Sequence, residues 1–329
     1  MHGTLTVDGA TRPADPAAVA DALAGAHFFW LDLDEAIDPA TADLLRDRFG
    51  FHPLAVEDAE HFGQRPKVDD YDTSTYLVVH GAPPDLTSAA SPTVEVHLFV
   101  AERFVVTVHR GPCVAFDEVR ARLARRHATE EAGPQVALLY LLVDSLVDSF
   151  FPVLAHVDDT IDELEDAILA QPTEGQLGQL FTLKRQLVSL RKVVTPERDM
   201  MASMLAGVSP IPGMTPEAER YFRDLYDHLI RISDLVDSYR DLLTSAMDTH
   251  LSTVSNRLNG VMKQLTIIAT IFLPLSFLTG FFGQNFAWMI TRITSLGAFL
   301  VLAVGVELAA AIGLLVLFRR RGWLGGSSL

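Results

Sequence analysis

The sequence has very little cysteine and, in its C-terminal part, almost no acid. Cys113 is the single cysteine, which excludes a disulfide within one chain and a zinc cluster built on cysteines. From Leu251 onward the only carboxylate side chain is that of Glu307. The rest of the chain is acidic, and the formal net charge is -16. This balance disfavours nucleic acid, whose phosphates need basic partners, and it suits metal cations.

The first thirty residues also lack the features of a cleaved signal segment. They have no basic flank followed by an apolar core, and prolines and aspartates interrupt them. We therefore expect the N-terminus to stay in the cytoplasm. No nucleophile with a neighbouring base, no phosphate-binding loop and no paired histidine spacing is present, so an enzyme is not expected.

Two long apolar runs are present near the C-terminus, and each can span a hydrocarbon core of about 30 Å. We predict a first transmembrane helix at 265–283, an external loop at 284–292 and a second transmembrane helix at 293–318. Basic residues precede the first run and follow the second, in the tail 319–329. The positive-inside rule then puts both termini in the cytoplasm.

Upstream of these runs the sequence predicts a cytoplasmic part in three sections. Short segments rich in β-branched and aromatic residues alternate with helical patterns over 1–112, which indicates an α/β domain. Strand signals end there, and 113–215 is predicted to be helical. From Leu225 to Leu258 apolar residues recur every three or four positions. This stripe predicts a stalk helix at 216–264 that continues into the membrane and packs against copies of itself.

A hairpin of two helices cannot enclose a pore, so any conducting path requires several chains. Residues that follow one another at three- and four-residue steps share one face of the first span. A ring of such faces would alternate polar and apolar zones, as channel pores do. Periodicity alone leaves an ordinary anchor helix as the alternative. The predicted pore-lining residues are Asn259, Met262, Leu265, Ala269, Leu273, Ser276 and Gly280.

The segment "NGVMKQLTIIATIFLPLSFLTGFFGQNFAWM" closely resembles the signature of the CorA family of magnesium and cobalt transporters, with its glycine, variable residue and asparagine after the first span. Three further segments resemble the same family: "HPLAVEDAEHFGQRPKVDDY", "RYFRDLYDH" and the closing "RRRGWL". The resemblance extends over almost the whole chain.

This resemblance implies an α+β cytoplasmic domain with a long helical stalk followed by two transmembrane helices, assembled as a funnel-shaped homopentamer in the inner membrane. The implied selectivity motif is Gly283, Gln284 and Asn285. Asn285 would form a ring of neutral oxygens that holds a hydrated ion without trapping it, which suits Mg²⁺ because this ion releases water reluctantly. Co²⁺ and Ni²⁺ are further implied substrates.

The resemblance also implies a regulatory cation site between subunits. Glu57 and Asp58 match the family's metal-sensing acids, and Asp224 and Asp227 match their partners on the neighbouring stalk. Facing carboxylates repel when empty and attract when a divalent ion lies between them. We therefore expect cytoplasmic Mg²⁺ to close the pore by bridging Asp58 to Asp224.

Three features depart from the family pattern. Gln284 replaces the usual methionine, and Ile290 and Thr291, followed by Arg292, stand where proline and glutamate are frequent. Glu307 lies within the second span, where an ionisable group is a functional candidate. It is interpreted either as an acid hydrogen-bonded at a helix contact or as part of a proton-linked step. The alternatives to a Mg²⁺ transporter are therefore a proton-linked Zn²⁺ transporter and a non-conducting, membrane-tethered cation sensor.

Overall fold

The structure, a computed structural model, describes residues 2–83, 93–125, 133–209, 211–284, 287, 291 and 295–323. The chain divides into two compact units, Met1–Met247 and Asp248–Leu329. The first unit contains a mixed sheet with helices on both faces. The second contains the apolar helical segments near the C-terminus.

The sheet of the first unit has seven strands. They are β1 (Gly3–Val7), β2 (Ala10–Pro13), β3 (Phe29–Leu33), β4 (Lys67–Tyr71), β5 (Ser74–Gly81), β6 (Val94–Val100) and β7 (Phe104–His109). The strand order is β2-β1-β3-β7-β6-β5-β4. β3 and β7 are parallel, and the other neighbouring pairs are antiparallel.

Among the described segments, three helices are short, with eight or nine residues each, and six are longer. They are α1 (Pro16–Ala24), α2 (Pro39–Asp47), α3 (Pro53–Glu60), α4 (Val114–Arg125), α5 (Pro134–Asp148), α6 (Phe150–Ala170), α7 (Glu174–Leu205), α8 (Pro216–Phe282) and α9 (Leu296–Arg320). The three short helices start in the same way, with proline in the first turn and a side chain accepting a backbone N–H: Asp15, Asp38 or His52. Proline fits there because its missing N–H has no helical partner.

Two apolar clusters lie on opposite faces of the sheet. Phe29, Leu31 and Leu33 of β3 pack with buried residues of α1, α2 and α3. Trp30, which points to the other face, belongs to a cluster with Phe116 of α4 and with α5 to α8. The central strands are therefore apolar on both faces, as expected for a sheet covered on both sides.

Two strands and one helix boundary differ from the sequence expectations. β2 and β4 were not predicted because their exposed or polar residues, ATRP and KVDDY, carry no apolar alternation. Within the helical region predicted over 113–215, the helix is interrupted at Ser149, between α5 and α6. The Ser149 hydroxyl donates to the Leu146 carbonyl and accepts from the backbone N–H of Ala82 at 2.7 Å, so this serine joins the helices to the sheet.

The long helix α8 contains 67 residues. In the first unit its apolar stripe is fully buried at Leu225, Leu229 and Ile232. In the second unit the same stripe is exposed in the single chain, with exposed fractions of 60% at Leu251 and 64% at Leu258. Exposed leucines at regular spacing are what a helix presents to other copies of itself, so packing between copies remains our expectation.

Among the residues that the structure describes, three helical segments are long and apolar enough to cross a membrane. Pro134–Ala170 is one of them, but 67% of its most apolar window is buried inside the protein, and we assign it to the core. The other two are the end of α8 and the whole of α9, whose windows are 6% and 0% buried. α9 contains a π-helical turn at Leu300–Gly305 before its last section, Val306–Arg320.

One buried acid joins α7 to the sheet. Glu197 is completely buried, and its Oε1 accepts the backbone N–H of His80 in β5 at 3.4 Å. Its Oε2 has no hydrogen-bond partner. Burial raises the pKa of Glu197 well above its usual value, because the carboxylate form loses its water.

The Glu197 carboxyl predicts a pH-dependent stability. Above the usual glutamate range the unfolded chain ionises while the folded chain keeps the proton. The stability of the first unit should therefore fall by about 1.4 kcal/mol per pH unit up to the raised pKa. Glu197→Gln should remove this slope, as measured by denaturation of the purified chain between about pH 5 and pH 8. Parallel pH profiles for the variant and the wild type would contradict this assignment.

Candidate functional site

The predicted pore face lies on the membrane-spanning part of α8. All seven predicted pore-lining residues belong to this helix, and each is exposed in the single chain. Most other residues of the span are exposed as well. Exposure is therefore compatible with a pore-lining role but does not distinguish this face from a face toward lipid or toward α9.

The predicted selectivity motif begins where α8 ends. Phe282 is the last helical residue, and the Gly283 N–H donates to the Thr279 carbonyl at 2.9 Å. A Cβ at Gly283 would lie 3.2 Å from the same carbonyl oxygen, so a side chain would be crowded here. The Gln284 N–H donates to the Phe281 carbonyl at 3.3 Å. Asn285 lies outside the described residues, as does Arg292.

The helix α3 presents the two predicted sensing acids at the surface. Ala55, Val56 and Ala59 are buried against the sheet, so the intervening positions face outward. Glu57 is exposed and Asp58 is half-buried.

Asp58 is held by an ion pair within its own subunit. Lys67 of β4 places its Nζ 2.5 Å from Asp58 Oδ2 and 3.0 Å from Asp69 Oδ2. Burial lowers the pKa of Lys67, but the hydrogen bonds to the two aspartates outweigh it, and the net pKa is raised. The ammonium group therefore balances the charge of Asp58.

The predicted partner acids lie on the outer face of α8. Asp224 and Asp227 are exposed, because the buried positions of this turn are Phe222 and Leu225. His228 Nε2 lies 4.0 Å from Asp224 Oδ2. In the single chain both carboxylates are exposed to solvent, so they can accept a ligand from another molecule.

Behind Asp224 lies a group of residues that can hold a metal ion. Asp144 and Asp148, one turn apart at the end of α5, meet His228 of α8, and one ligand atom of each lies within 4.8 Å of the others. His228 Nδ1 is 3.1 Å from Asp148 Oδ1 but is not aligned for a hydrogen bond. Burial and the nearby Asp148 charge raise the pKa of Asp144. A cation would relieve this repulsion, in competition with Arg122, whose Nη1 lies 3.3 Å from Asp144 Oδ2.

This group was not predicted from the sequence. No histidine pair at metal-ligand spacing marks it, because the Asp144–Asp148–His228 group combines two helices that meet only in the fold. A usable signal was the spacing of Asp144 and Asp148, which puts both carboxylates on one face of α5. Two carboxylates with one imidazole suit Co²⁺, Ni²⁺ or Zn²⁺, because imidazole is a good ligand for these ions.

Glu307 lies on α9, just after the π-helical turn. Its Oε1 is 2.7 Å from Oγ1 of Thr279 on α8. The structure thus places this acid against Thr279 of the first span, and Thr279 lies one helical turn before Gly283.

The chain is similar to known metal transporters over most of its length. The family model described as "CorA-like Mg2+ transporter protein" matches residues 25–320. The cobalt/magnesium transport protein CorA of Thermotoga maritima is 38% identical over 277 residues, which are 84% of this chain and 78% of the relative. The zinc transport protein ZntB of Pectobacterium carotovorum is 26% identical over 257 residues, covering 78% of this chain and 76% of the relative.

The fold also matches a solved full-length structure. The CorA magnesium transporter of Methanocaldococcus jannaschii aligns with a TM-score of 0.81 and 22% identity, covering 98% of this chain and 99% of that one. The predicted fold class is thereby confirmed: an α+β domain, a long helix and two apolar C-terminal helices.

The Asp144–Asp148–His228 group predicts a Co²⁺ site on the first unit. His228→Ala should remove one bound Co²⁺ per chain in calorimetric titrations, because the imidazole is its only nitrogen ligand in the group. His156→Ala is the matched control, since His156 is exposed on α6. Unchanged stoichiometry in His228→Ala, or an equal loss in the control, would contradict the assignment.

Proposed function

Because this chain belongs to the CorA-like Mg²⁺ transporter family, we propose that it moves Mg²⁺ across the inner membrane as a homopentamer with both termini in the cytoplasm. Family membership makes it a divalent-metal transport protein of a membrane, and the expectation of a transporter rather than an enzyme is confirmed. The ion, the pentamer and the orientation are our proposals.

The observation that carries the proposal is the way α8 ends. The last section of α8, residues 265–282, is uncharged and apolar. It stops at Phe282, and Gly283 and Gln284 follow it directly. Asn285, next in sequence, is proposed to offer its amide oxygen to the water shell of the arriving ion. A neutral ring selects a hydrated Mg²⁺ without binding it too tightly to release. Inward movement of a double charge is favoured by about 4.6 kcal/mol per 100 mV.

Mg²⁺ is preferred over Zn²⁺ as the substrate because Gln284 and Asn285 of the proposed motif offer amide oxygens, which suit hard cations. Zn²⁺ remains the second candidate, supported by the likeness to a protein named for zinc transport and by the imidazole of His228. Co²⁺ and Ni²⁺ fit both the mouth, as hydrated ions, and the Asp144–Asp148–His228 group.

Asn285→Ala tests the proposed mouth. The variant should lower Mg²⁺ flux into liposomes about tenfold or more, since a hydrogen bond to a charged group is worth about 1.5–3 kcal/mol. If the Asn285→Ala variant transports Mg²⁺ as fast as the wild type, the proposed role of the amide ring is wrong.

We further propose that cytoplasmic Mg²⁺ controls the channel from between two subunits. Glu57 and Asp58 of one chain and Asp224 and Asp227 of its neighbour would face each other, with a cation between them. Asp224 lies beside His228 and thus near the carboxylates of Asp144 and Asp148, of which Asp144 is paired with Arg122. A cation between the facing acids of the two subunits would offset their charge, stiffen the ring of subunits and close the pore.

Lys67 competes with a metal ion for this site. Its ammonium group forms an ion pair with the Asp58 carboxylate within one subunit, so a Mg²⁺ ion that bridges Asp58 to the neighbour must displace it. We therefore propose that Lys67 sets the Mg²⁺ concentration at which the pore closes.

The regulatory site can be tested by measuring how far Mg²⁺ protects the protein from proteolysis. Some substitutions should weaken this protection, and one should strengthen it. Asp58→Ala and Asp224→Ala should weaken the protection, because each removes a ligand. Lys67→Met should shift the half-protecting Mg²⁺ concentration downward by about fivefold, corresponding to about 1 kcal/mol for the lost ion pair. Unchanged protection in both aspartate variants would exclude the site, and an upward shift in Lys67→Met would exclude competition.

A further inference from the structure

A contact between two polar side chains joins the two membrane-spanning helices. Thr279 Oγ1 of α8 lies 2.7 Å from Glu307 Oε1 of α9. Both residues belong to the second unit, and both are surrounded in sequence by apolar residues. The hydrocarbon core of a bilayer offers no water to a hydroxyl or a carboxyl group, so polar side chains there must find partners in protein.

Thr279 also supports the end of α8. Its backbone carbonyl accepts the Gly283 N–H at 2.9 Å. This bond spans four residues, as in an α-helix, whereas the next one, from Gln284 to Phe281, spans only three. Its side chain thus contacts α9 while its main chain holds Gly283. A displacement of Thr279 must move the residue at which the selectivity motif begins.

The hydroxyl of Thr279 has one hydrogen but two neighbours that can accept it. Oγ1 lies 2.9 Å from the Leu275 carbonyl and 2.7 Å from Glu307 Oε1. If the Thr279 hydroxyl donates its hydrogen to the Leu275 carbonyl, its oxygen can still accept a hydrogen bond from a donor on residue 307. A glutamine at position 307 has such an N–H donor, whereas an alkyl side chain has neither a donor nor an acceptor.

The helix before Glu307 is irregular in a way that favours this contact. Leu300–Gly305 forms a π-helical turn, and the α-helix resumes at Val306. A π-turn adds a residue to the repeat and so rotates the side chains that follow it around the helix axis. Glu307 is the second residue after this turn.

We propose that Glu307 is a positioning residue for ion transport: by hydrogen bonding to Thr279 it fixes the end of the first spanning helix, where Gly283 begins the selectivity motif. Its role depends on hydrogen bonding rather than on charge. The inference uses the proposed transport function for its flux readout but has a second readout that does not need transport.

The test compares four variants of the full-length protein in liposomes and in detergent. Glu307→Leu and Thr279→Val each remove one partner, and Glu307→Gln keeps a hydrogen-bonding group without the charge. The fourth, Thr266→Val, is the matched control, because the Thr266 hydroxyl donates within α8 to the Met262 carbonyl at 2.8 Å. The readouts are Mg²⁺ flux and hydrogen–deuterium exchange of the peptide that contains Gly283.

Glu307→Leu and Thr279→Val should each slow flux by about three- to fifteenfold, the range typical of hydrogen bonds between membrane helices. Each should also speed exchange at Gly283 by a similar factor. Glu307→Gln and Thr266→Val should match the wild type, and the double variant Glu307→Leu with Thr279→Val should be no worse than either single one.

Two results would overturn the proposal. Wild-type exchange and flux in Glu307→Leu would show that the contact positions nothing. A Glu307→Gln variant as impaired as Glu307→Leu would show that the carboxyl acts through its charge or its proton. If the wild type moves no ion, the transport function fails, and the exchange rates alone decide whether Glu307 positions Gly283.

Discussion

The constraint on which the membrane part of this structure depends is the absence of water in the hydrocarbon core. Backbone groups there must be paired within helices, and polar side chains must be paired with each other. The uncharged end of α8 and the Thr279–Glu307 contact satisfy this requirement within one chain. The predicted pore face also carries two polar side chains, those of Asn259 and Ser276. A hairpin cannot enclose this face, and its use as a pore therefore requires further copies of the chain.

A second consequence follows from the continuity of α8. The same helix carries Asp224 and Asp227 near its start and ends at the predicted selectivity motif. A cation that binds its acids therefore acts on the element that also lines the proposed pore. On the other side of the proposed site, Lys67 forms an ion pair with Asp58 within the same subunit. The proposed regulation is therefore a competition between this ammonium group and a divalent ion.

The sequence predicted the features that depend on local patterns. The two spans follow from long apolar runs, and the buried strands follow from β-branched and aromatic residues. β2 and β4 escaped prediction because their polar residues are set in the sheet by pairing with β1 and β5. The Asp144–Asp148–His228 group and the Thr279–Glu307 contact escaped it because each joins residues of two helices that meet only after folding. The motif segment was found through family resemblance, since no periodicity singles out Asn285.

The central claim is that this chain conducts Mg²⁺ and that Mg²⁺ on the cytoplasmic side closes it. The most direct measurement is the flux of Mg²⁺, Co²⁺, Ni²⁺ and Zn²⁺ into liposomes containing the wild-type protein, at low and at high Mg²⁺ on the cytoplasmic face. The account predicts Mg²⁺ flux at low Mg²⁺ that falls at high Mg²⁺. Absence of flux for all four ions at both concentrations would contradict it and favour a non-conducting cation sensor.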